Sequence, residues 1–287
     1  MNKLLIICGP TAIGKTSLAA NLAKKFKGEL ISADSRQVYQ GMDIVTGKDK
    51  PKGVVIHGLD LVKPDQEFSV AHFVKFALPL INKLHQAKVL PIVVGGTGLY
   101  LKALTQSIDT INTPPNKKLR KQLEKLTTKQ LQSELKQLNP QRFNKMNHSD
   151  QHNPRRLIRA IEVASTFTNL QGQALKVNFN TLWIGLTTSK SKLNQRIEDR
   201  VKKRIKQGAF KEKQRLLKQG YDLTLPSMSG IGYKHLPDVQ AWTKAEQQYA
   251  TRQMTWFKKQ PHIHWFDIKN NQYFKKVVTI ATDWYTN

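Results

Sequence analysis

The chain has 287 residues, 39% of them hydrophobic, which suffices for one large domain or for a core with a smaller inserted domain. Lys and Arg number 47 against 20 Asp and Glu, so the formal net charge of +27 predicts a polyanionic partner. A generally basic proteome would raise this total without explaining its distribution: residues 1–110 carry +6, residues 111–176 carry +9 and residues 177–287 carry +12. Charge spread over a long surface favours nucleic acid over a small phosphorylated substrate.

The same sequence excludes disulfides and membrane spans. Cys8 is the only cysteine, so it can form neither an intramolecular disulfide nor a cysteine-based metal cluster, and its apolar neighbours predict core packing. The apolar run Leu4–Cys8 is too short for a signal-peptide core or a bilayer span, and no other stretch is long enough. The eight histidines show no metal-ligand spacing. We expect a cytoplasmic protein with no membrane association.

The first third of the chain alternates predicted strands and helices. A strand at Lys3–Cys8 leads through a glycine loop into a helix over 15–27, and a second strand follows at Glu29–Ala33. Ser69 caps an amphipathic helix, after which Val89–Val94 is predicted to be a buried strand. This alternation predicts an α/β fold, a P-loop NTPase-like parallel sheet with helices on both faces.

The alternation stops at the segment Thr113-Pro114-Pro115-Asn116. Beyond it, Lys117–Leu126 and Thr128–Leu138 are amphipathic helix candidates with no strand between them. We therefore predict a helical insert over 113–176 within a core formed by 1–112 and 177–287. The predicted elements of the returning core are a strand at Thr181–Leu186, helices from about Ser191 and Lys244, and a late strand at His262–Phe266.

The glycine loop after the first strand matches the P-loop pattern in both spacing and position. It consists of Gly9, Pro10, Thr11, Ala12, Ile13, Gly14, Lys15 and Thr16. The glycines allow backbone N–H groups to surround phosphate oxygens, Lys15 neutralises charge, and the Thr16 hydroxyl is a candidate Mg²⁺ ligand. This segment predicts a polyphosphate or diphosphate site.

An acidic residue is expected beside this loop, but its position is unusual. A Walker-type ATPase has an acid after a buried strand, whereas Val89–Val94 is followed by Gly95-Gly96-Thr97-Gly98. The acid is instead Asp34, after the second strand. Because parallel strands place ligands at their carboxyl ends, Asp34, Thr97 and the P-loop should face one crevice. The alternative is that Asp34 only caps a helix or stabilises a turn.

Two basic rows are candidate phosphate contacts. Lys192, Arg196, Arg200 and Arg204 recur every four residues on one predicted helix, beside an apolar stripe. A solvated face would explain such a row, but arginines also bind diphosphate oxygens in bidentate fashion. The second row, Asn153-Pro154-Arg155-Arg156-Leu157-Ile158-Arg159, suits a phosphate backbone.

Six segments together resemble the tRNA dimethylallyltransferase (tRNA isopentenyltransferase) family, in its compact bacterial form without a zinc-finger extension. The segments follow the family's order and cover nearly the whole chain: Gly9–Thr16, Asp34–Tyr39, Gly95–Leu101, Arg159–Val163, Gly230–Lys234 and Arg252–Phe257. The resemblance implies transfer of a dimethylallyl group from its diphosphate to the exocyclic amine of the adenine 3′ of the anticodon. It also implies a P-loop fold whose helical insert grips the anticodon stem.

The resemblance assigns roles as well. The loop Gly9–Thr16 binds the donor diphosphate, Asp34 is the general base and Thr97 touches the target nucleotide. The implied tRNA contacts are Asp34, Ser35, Arg36, Gln37, Thr97, Arg155, Arg156, Leu157, Ile158 and Arg159. Mg²⁺ and an arginine, Arg196 or Arg200, would stabilise the leaving diphosphate. The partners implied are the tRNA anticodon stem-loop and dimethylallyl diphosphate, with no obligatory protein partner.

The sequence departs from the family pattern at two places. Ile13 stands where many relatives have serine, and Asp150-Gln151-His152-Asn153 replaces the usual His-Pro-Asn-Asp. Three rival functions remain open: a P-loop small-molecule kinase, an adenylate isopentenyltransferase and a non-catalytic RNA-binding module. The missing acid after Val94 and the basic second half disfavour the first two, and the P-loop disfavours the third.

Overall fold

A computed structural model describes residues 2–106, 111, 113–166 and 178–287. Its strands form one sheet in the order β3-β2-β4-β1-β5-β6, in which every neighbouring pair is parallel. The strands are β1 Lys3–Cys8, β2 Gly28–Ser32, β3 Ile56–His57, β4 Leu90–Val94, β5 Asn180–Thr187 and β6 Ile263–Asp267. The predicted parallel α/β sheet is confirmed, and its central strand is the one that leads into the P-loop.

Helices lie between most of the consecutive strands along the chain, and those within residues 117–166 belong to the inserted segment. The helices are α1 Lys15–Phe26, α2 Val70–Gln86, α3 Gly98–Thr105, α4 Lys117–Leu123, α5 Thr128–Leu138, α6 Pro140–Lys145, α7 His148–Gln151, α8 Pro154–Thr166, α9 Lys190–Lys206, α10 Ala209–Lys218, α11 Ile231–His235, α12 Val239–Phe257 and α13 Tyr273–Thr286. The predicted start of α12 near Lys244 was wrong. The side chain of Asp238 accepts a hydrogen bond from Ala241 N and caps the helix, which begins at Val239, five residues before Lys244.

The sheet core is built on β1, which is buried along its whole length. Leu5 and Ile7 pack in one cluster with Leu18 and Leu22 of α1 and Val277 of α13. Successive residues of a strand point to opposite faces, so the equally buried residues between them serve the other face. Cys8 is fully buried, as expected, and burial raises the pKa of its thiol to about 12.

The chain forms two compact units, Met1–Gln106 with Val177–Asn287, and Ser107–Lys176. The second unit has its own apolar cluster, in which Leu131 and Leu135 of α5 pack with Leu157 and Ile161 of α8. The insert boundaries predicted at 112 and at 176–177 lie outside the described residues. Among the helices that the structure describes, none is long and apolar enough to cross a membrane.

Candidate active site

The P-loop lies between the carboxyl end of β1 and the first turn of α1. Gly9 has φ +137°, and a Cβ there would lie 2.7 Å from Leu186 O, so no other residue fits this turn. Gly14 has φ +100° and precedes α1 directly. The first N–H groups of a helix have no intrahelical acceptor, and the helix dipole favours an anion beside them. The loop therefore presents an anion site at the edge of the sheet.

Lys15 is held inside this loop, where its Nζ donates to Pro10 O at 2.7 Å. Burial, and then the nearby Arg200, lower the pKa of its ammonium group to about 8, although Asp34 opposes this shift. A bound diphosphate would favour the protonated form of this group. Lys15 is thus a cation whose charge depends on what occupies the loop.

Two arginines of α9 contact the same loop. Arg196 Nε donates to Ala12 O at 2.8 Å, and Arg200 Nη2 donates to Thr11 Oγ1 at 2.6 Å. Arg204, one turn further, is buried and its Nη1 lies 3.4 Å from Glu246 Oε1. Burial and then Arg200 lower the pKa of Arg204 to about 10. The four-residue row predicted on this helix therefore divides into two cations on the P-loop, one buried structural cation and Lys192, which is exposed.

Asp34 follows β2 and lies next to Thr97, which follows β4. Asp34 Oδ1 accepts from Arg36 N at 2.8 Å, and Thr97 Oγ1 accepts from Ser35 N at 3.2 Å. No described donor bonds to Asp34 Oδ2. Asp34 is therefore part of a turn, not a helix cap, and it keeps one carboxylate oxygen available. Thr97 steadies the backbone beside that carboxylate.

Two cavities meet at Asp34. The first has a volume of about 250 Å³ and is lined by the P-loop from Thr11 onward, Gln37, Arg196 and Arg200. The second, of about 330 Å³, is lined by Ser35 and Arg36 and by the segment around α11. The described residues that line both are Thr11, Asp34, Thr46, Arg200 and Tyr249. Thr97 lines neither cavity, so its side chain acts on the site through Ser35.

Helix α12 supplies functional residues that the sequence analysis missed. The Gln253 side chain accepts from Thr11 N at 2.8 Å and donates to Gly96 O at 2.9 Å, so it joins the P-loop to the turn after β4. A side chain on Gly96 would collide with the Gln253 amide. Glu246, Tyr249 and Gln253 lie three and four residues apart and thus share one helix face. In the sequence, only this spacing indicated that the three residues share a face, and the helix was predicted to begin only at Lys244.

A second missed residue is Glu212 on α10, whose carboxylate is 5% exposed. It accepts hydrogen bonds from the backbone N–H groups of Asp43, Ile44 and Val45 at 2.7 to 2.9 Å, and from Tyr233 Oη at 2.6 Å. These bonds fix the segment that leads into Thr46 and Gly47 at the first cavity. Its sequence signal was weak, because Glu212 lies among lysines.

The second arginine row lies on α8 in the other compact unit. Arg155 and Arg156 are exposed, and Arg156 pairs with Asp150. Arg159 bonds to Thr113 O at 2.7 Å and to the buried Glu162. Burial alone would raise the pKa of Glu162. Hydrogen bonds from Arg120 and Asn116 nevertheless hold this pKa below its ordinary value.

Two members of the same row are buried. Leu157 and Ile158 are 0% and 8% exposed and belong to the apolar cluster of this unit. Their side chains are therefore not available to a ligand, because helix periodicity turns them away from Arg155 and Arg156 and into the core. We correct the expected set of contacts accordingly and keep only the arginines as candidates.

Comparisons with known proteins identify the family of this chain. A family model described as IPP transferase matches residues 37–260, and one described as isopentenyl transferase matches residues 2–60. A tRNA dimethylallyltransferase of Alkaliphilus oremlandii is 38% identical over 291 residues, covering 93% of this chain and 92% of the relative.

Solved structures are similar over the whole chain. A tRNA isopentenylpyrophosphate transferase of Bacillus halodurans has a TM-score of 0.74 at 31% identity, with 99% of this chain and 97% of that chain covered. A eukaryotic dimethylallyltransferase acting on tRNA has a TM-score of 0.84 at 26% identity, with 100% of this chain and 80% of that chain covered. With a family model over most of its length and relatives this similar, the chain belongs to the tRNA dimethylallyltransferase family of prenyl-transferring enzymes.

Proposed function

We propose that this protein transfers a dimethylallyl group from dimethylallyl diphosphate to the exocyclic amine of the adenine 3′-adjacent to the anticodon in tRNA, releasing diphosphate. The observation that carries the proposal is the meeting of two cavities at Asp34, one of them lined by the P-loop. Two substrates that enter from different cavities meet at such a point. The family relationship supports the same reaction.

The P-loop cavity is the proposed donor site. A diphosphate there would accept hydrogen bonds from the N–H groups at the start of α1. It would also form ion pairs with Lys15, Arg196 and Arg200. Arg196 and Arg200 are already directed at the loop by their bonds to Ala12 and Thr11. As the carbon–oxygen bond breaks, its electron pair leaves with the diphosphate, and these cations stabilise the growing negative charge.

Asp34 is the proposed general base. The lone pair of an adenine amine is delocalised into the ring, so the amine is a weak nucleophile until a base takes its proton as the carbon–nitrogen bond forms. The available Oδ2 of Asp34 suits this task. Ser35 and Arg36 line the second cavity, where a base flipped out of the anticodon loop would enter.

The residues around the P-loop fit Mg²⁺, which commonly binds one or two protein oxygens together with substrate phosphates and water. Thr16 and Asp49 both line the first cavity and offer oxygen ligands. When bound, Mg²⁺ would supply positive charge to the diphosphate. We further propose that Arg155, Arg156 and Arg159 contact the tRNA backbone and that the enzyme works in the cytoplasm.

One assay tests the proposed function. Purified protein receives labelled dimethylallyl diphosphate and Mg²⁺ together with unmodified tRNA, AMP or ATP in parallel reactions. Label transferred to tRNA, and mapped to the adenine after the anticodon, is the expected result. Transfer to AMP or ATP alone would assign the adenylate branch instead. If label never left the donor, while ATP phosphorylated a small molecule, the chain would be a kinase.

A further inference from the structure

Prenyl transfer must take place where the two cavities meet, because the donor carbon and the acceptor nitrogen have to come within bonding distance there. The described residues at this junction are Thr11, Asp34, Thr46, Arg200 and Tyr249. Four of them offer a hydroxyl, a carboxylate or a guanidinium group. Tyr249 alone brings an aromatic ring to the junction.

Tyr249 is placed for contact with a substrate, and its ring has one cationic neighbour, Arg252. It lies on α12 between Glu246, which pairs with Arg204, and Gln253, which holds the P-loop. Its phenol oxygen has no hydrogen-bond partner among the described residues. Burial, and then the charge of Asp34, raises the pKa of Tyr249, so its ring stays neutral and electron-rich. The Arg252 guanidinium carbon lies 5.9 Å from the ring centroid.

During the reaction, positive charge develops on the dimethylallyl group, and an aromatic ring can stabilise it. The bond between C1 of the donor and the diphosphate oxygen breaks, and its electron pair leaves with the diphosphate. The adenine amine forms the new bond to C1, and its proton passes to Asp34. Meanwhile the allyl unit carries partial positive charge, which an aromatic face attracts. Thr11 and Thr46 carry no π-system, and Asp34 and Arg200 already serve the proton and the diphosphate.

We propose that the ring of Tyr249 packs against the dimethylallyl group and stabilises the positive charge that develops on it during transfer. This role rests on the proposed prenyl transfer and adds a catalytic residue to it. Cation–π attraction in a desolvated site reaches about 2 kcal/mol or more, which corresponds to roughly 30-fold in rate. Part of this stabilisation appears only in the transition state, so it should affect rate more than donor affinity.

The test is a series at position 249 in the full-length protein. Tyr249→Phe serves as the reference because it keeps the ring, and 4-fluoro- and more highly fluorinated phenylalanines then withdraw electron density at nearly constant size. Single-turnover rates are measured with saturating tRNA and dimethylallyl diphosphate, and donor affinity is measured separately. We expect the rate to fall stepwise with each fluorine, and Tyr249→Leu to be about 10- to 30-fold slower than Tyr249→Phe. Donor affinity should change much less.

The outcomes separate the two proposals. Wild-type protein that transfers label to tRNA, combined with rates that ignore fluorination, would overturn the role of Tyr249 and leave the proposed function standing. If the ring only filled space, the single-turnover rates of the fluorinated variants would all be the same. This result does not depend on whether the leucine variant folds. Wild-type protein that transfers no label to tRNA would overturn both.

Discussion

Helices α8 and α9 each carry a row of arginines, but the two rows have different surroundings. On α9, Arg196 and Arg200 donate to P-loop atoms, and Arg204 is 4% exposed beside Glu246. On α8, Arg155 and Arg156 are exposed on the surface of the other compact unit. In each row the last arginine pairs with a buried glutamate.

A buried glutamate therefore decides whether a nearby guanidinium group is held by the protein or stays available to a ligand. Glu246 is 9% exposed and lies within 4 Å of the guanidinium groups of Arg200 and Arg204. Glu162 is 1% exposed and lies within 4 Å of those of Arg120 and Arg159. Among the described residues, Arg196 on α9 and Arg155 on α8 pair with neither glutamate, so both stay available to a ligand. We infer that the α9 row serves the chemistry at the diphosphate and that the α8 row serves only affinity for tRNA. The predictions below test this division.

The largest expected effect concerns the chemical step in the core unit. Asp34→Asn keeps the size of the side chain and its turn hydrogen bond but removes the proton acceptor. Single-turnover prenylation should fall by roughly 10²- to 10⁴-fold, with little change in tRNA affinity. Rapid-quench assays and filter binding measure the two quantities.

Two rival roles for Asp34 give different results. A residue that only stabilised the turn would tolerate asparagine, because Asn accepts the same N–H bond, and turnover would stay near normal. A Mg²⁺ ligand would lose rate, but the variant would regain much of it at high Mg²⁺ concentration. Either result would contradict the general-base assignment.

The buried glutamates provide the second comparison. Glu246→Gln leaves Arg204 buried without its counter-charge, so we expect a loss of about 3 kcal/mol in stability. Glu162→Gln should cost only about 1 kcal/mol, because water reaches its partners Arg120 and Arg159, which are 39% and 31% exposed. Hydrogen exchange at α12 and at α8 measures the free energy of unfolding of each unit separately. Equal losses would show that the two arginine rows are held in the same way.

A third prediction uses the lowered pKa of Lys15, about 8 in the free site. A bound diphosphate favours the charged ammonium form, so the contribution of Lys15 to affinity for dimethylallyl diphosphate should be constant well below pH 8. Above pH 8 it should fall, by at most about tenfold per pH unit. Lys15→Arg is the matched control because arginine stays charged, and the affinity ratio of the two proteins cancels the ionisation of the ligand. A ratio that does not change from pH 7 to 9 would disprove the role of Lys15.

The sequence reveals local features of this site much better than long-range ones. The P-loop and Asp34 were predictable because strand, loop and helix signals are contiguous there. Gln253 was not assigned a role because its partner Thr11 is 242 residues away and no local pattern connects them. The burial of Arg204 was likewise invisible, since it depends on Glu246 in a different helix. The burial of Cys8, by contrast, followed directly from the apolar run of β1.

The smallest expected effect concerns tRNA binding by the α8 row. Each arginine that contacts a phosphate releases counterions, so Arg155→Ala should weaken tRNA binding severalfold and lower the salt slope by about one. Prenyl transfer at saturating tRNA should keep its wild-type rate, because this side chain has no part in the core cavity. Arg159→Ala is the matched comparison, since Arg159 bonds to Thr113 O and Glu162. It should lower the stability of its unit more than Arg155→Ala does. Salt titrations of tRNA affinity, read beside hydrogen exchange of α8, distinguish the two variants. If Arg155→Ala left both the affinity and the salt slope unchanged, the exposed end of this row would not face the tRNA.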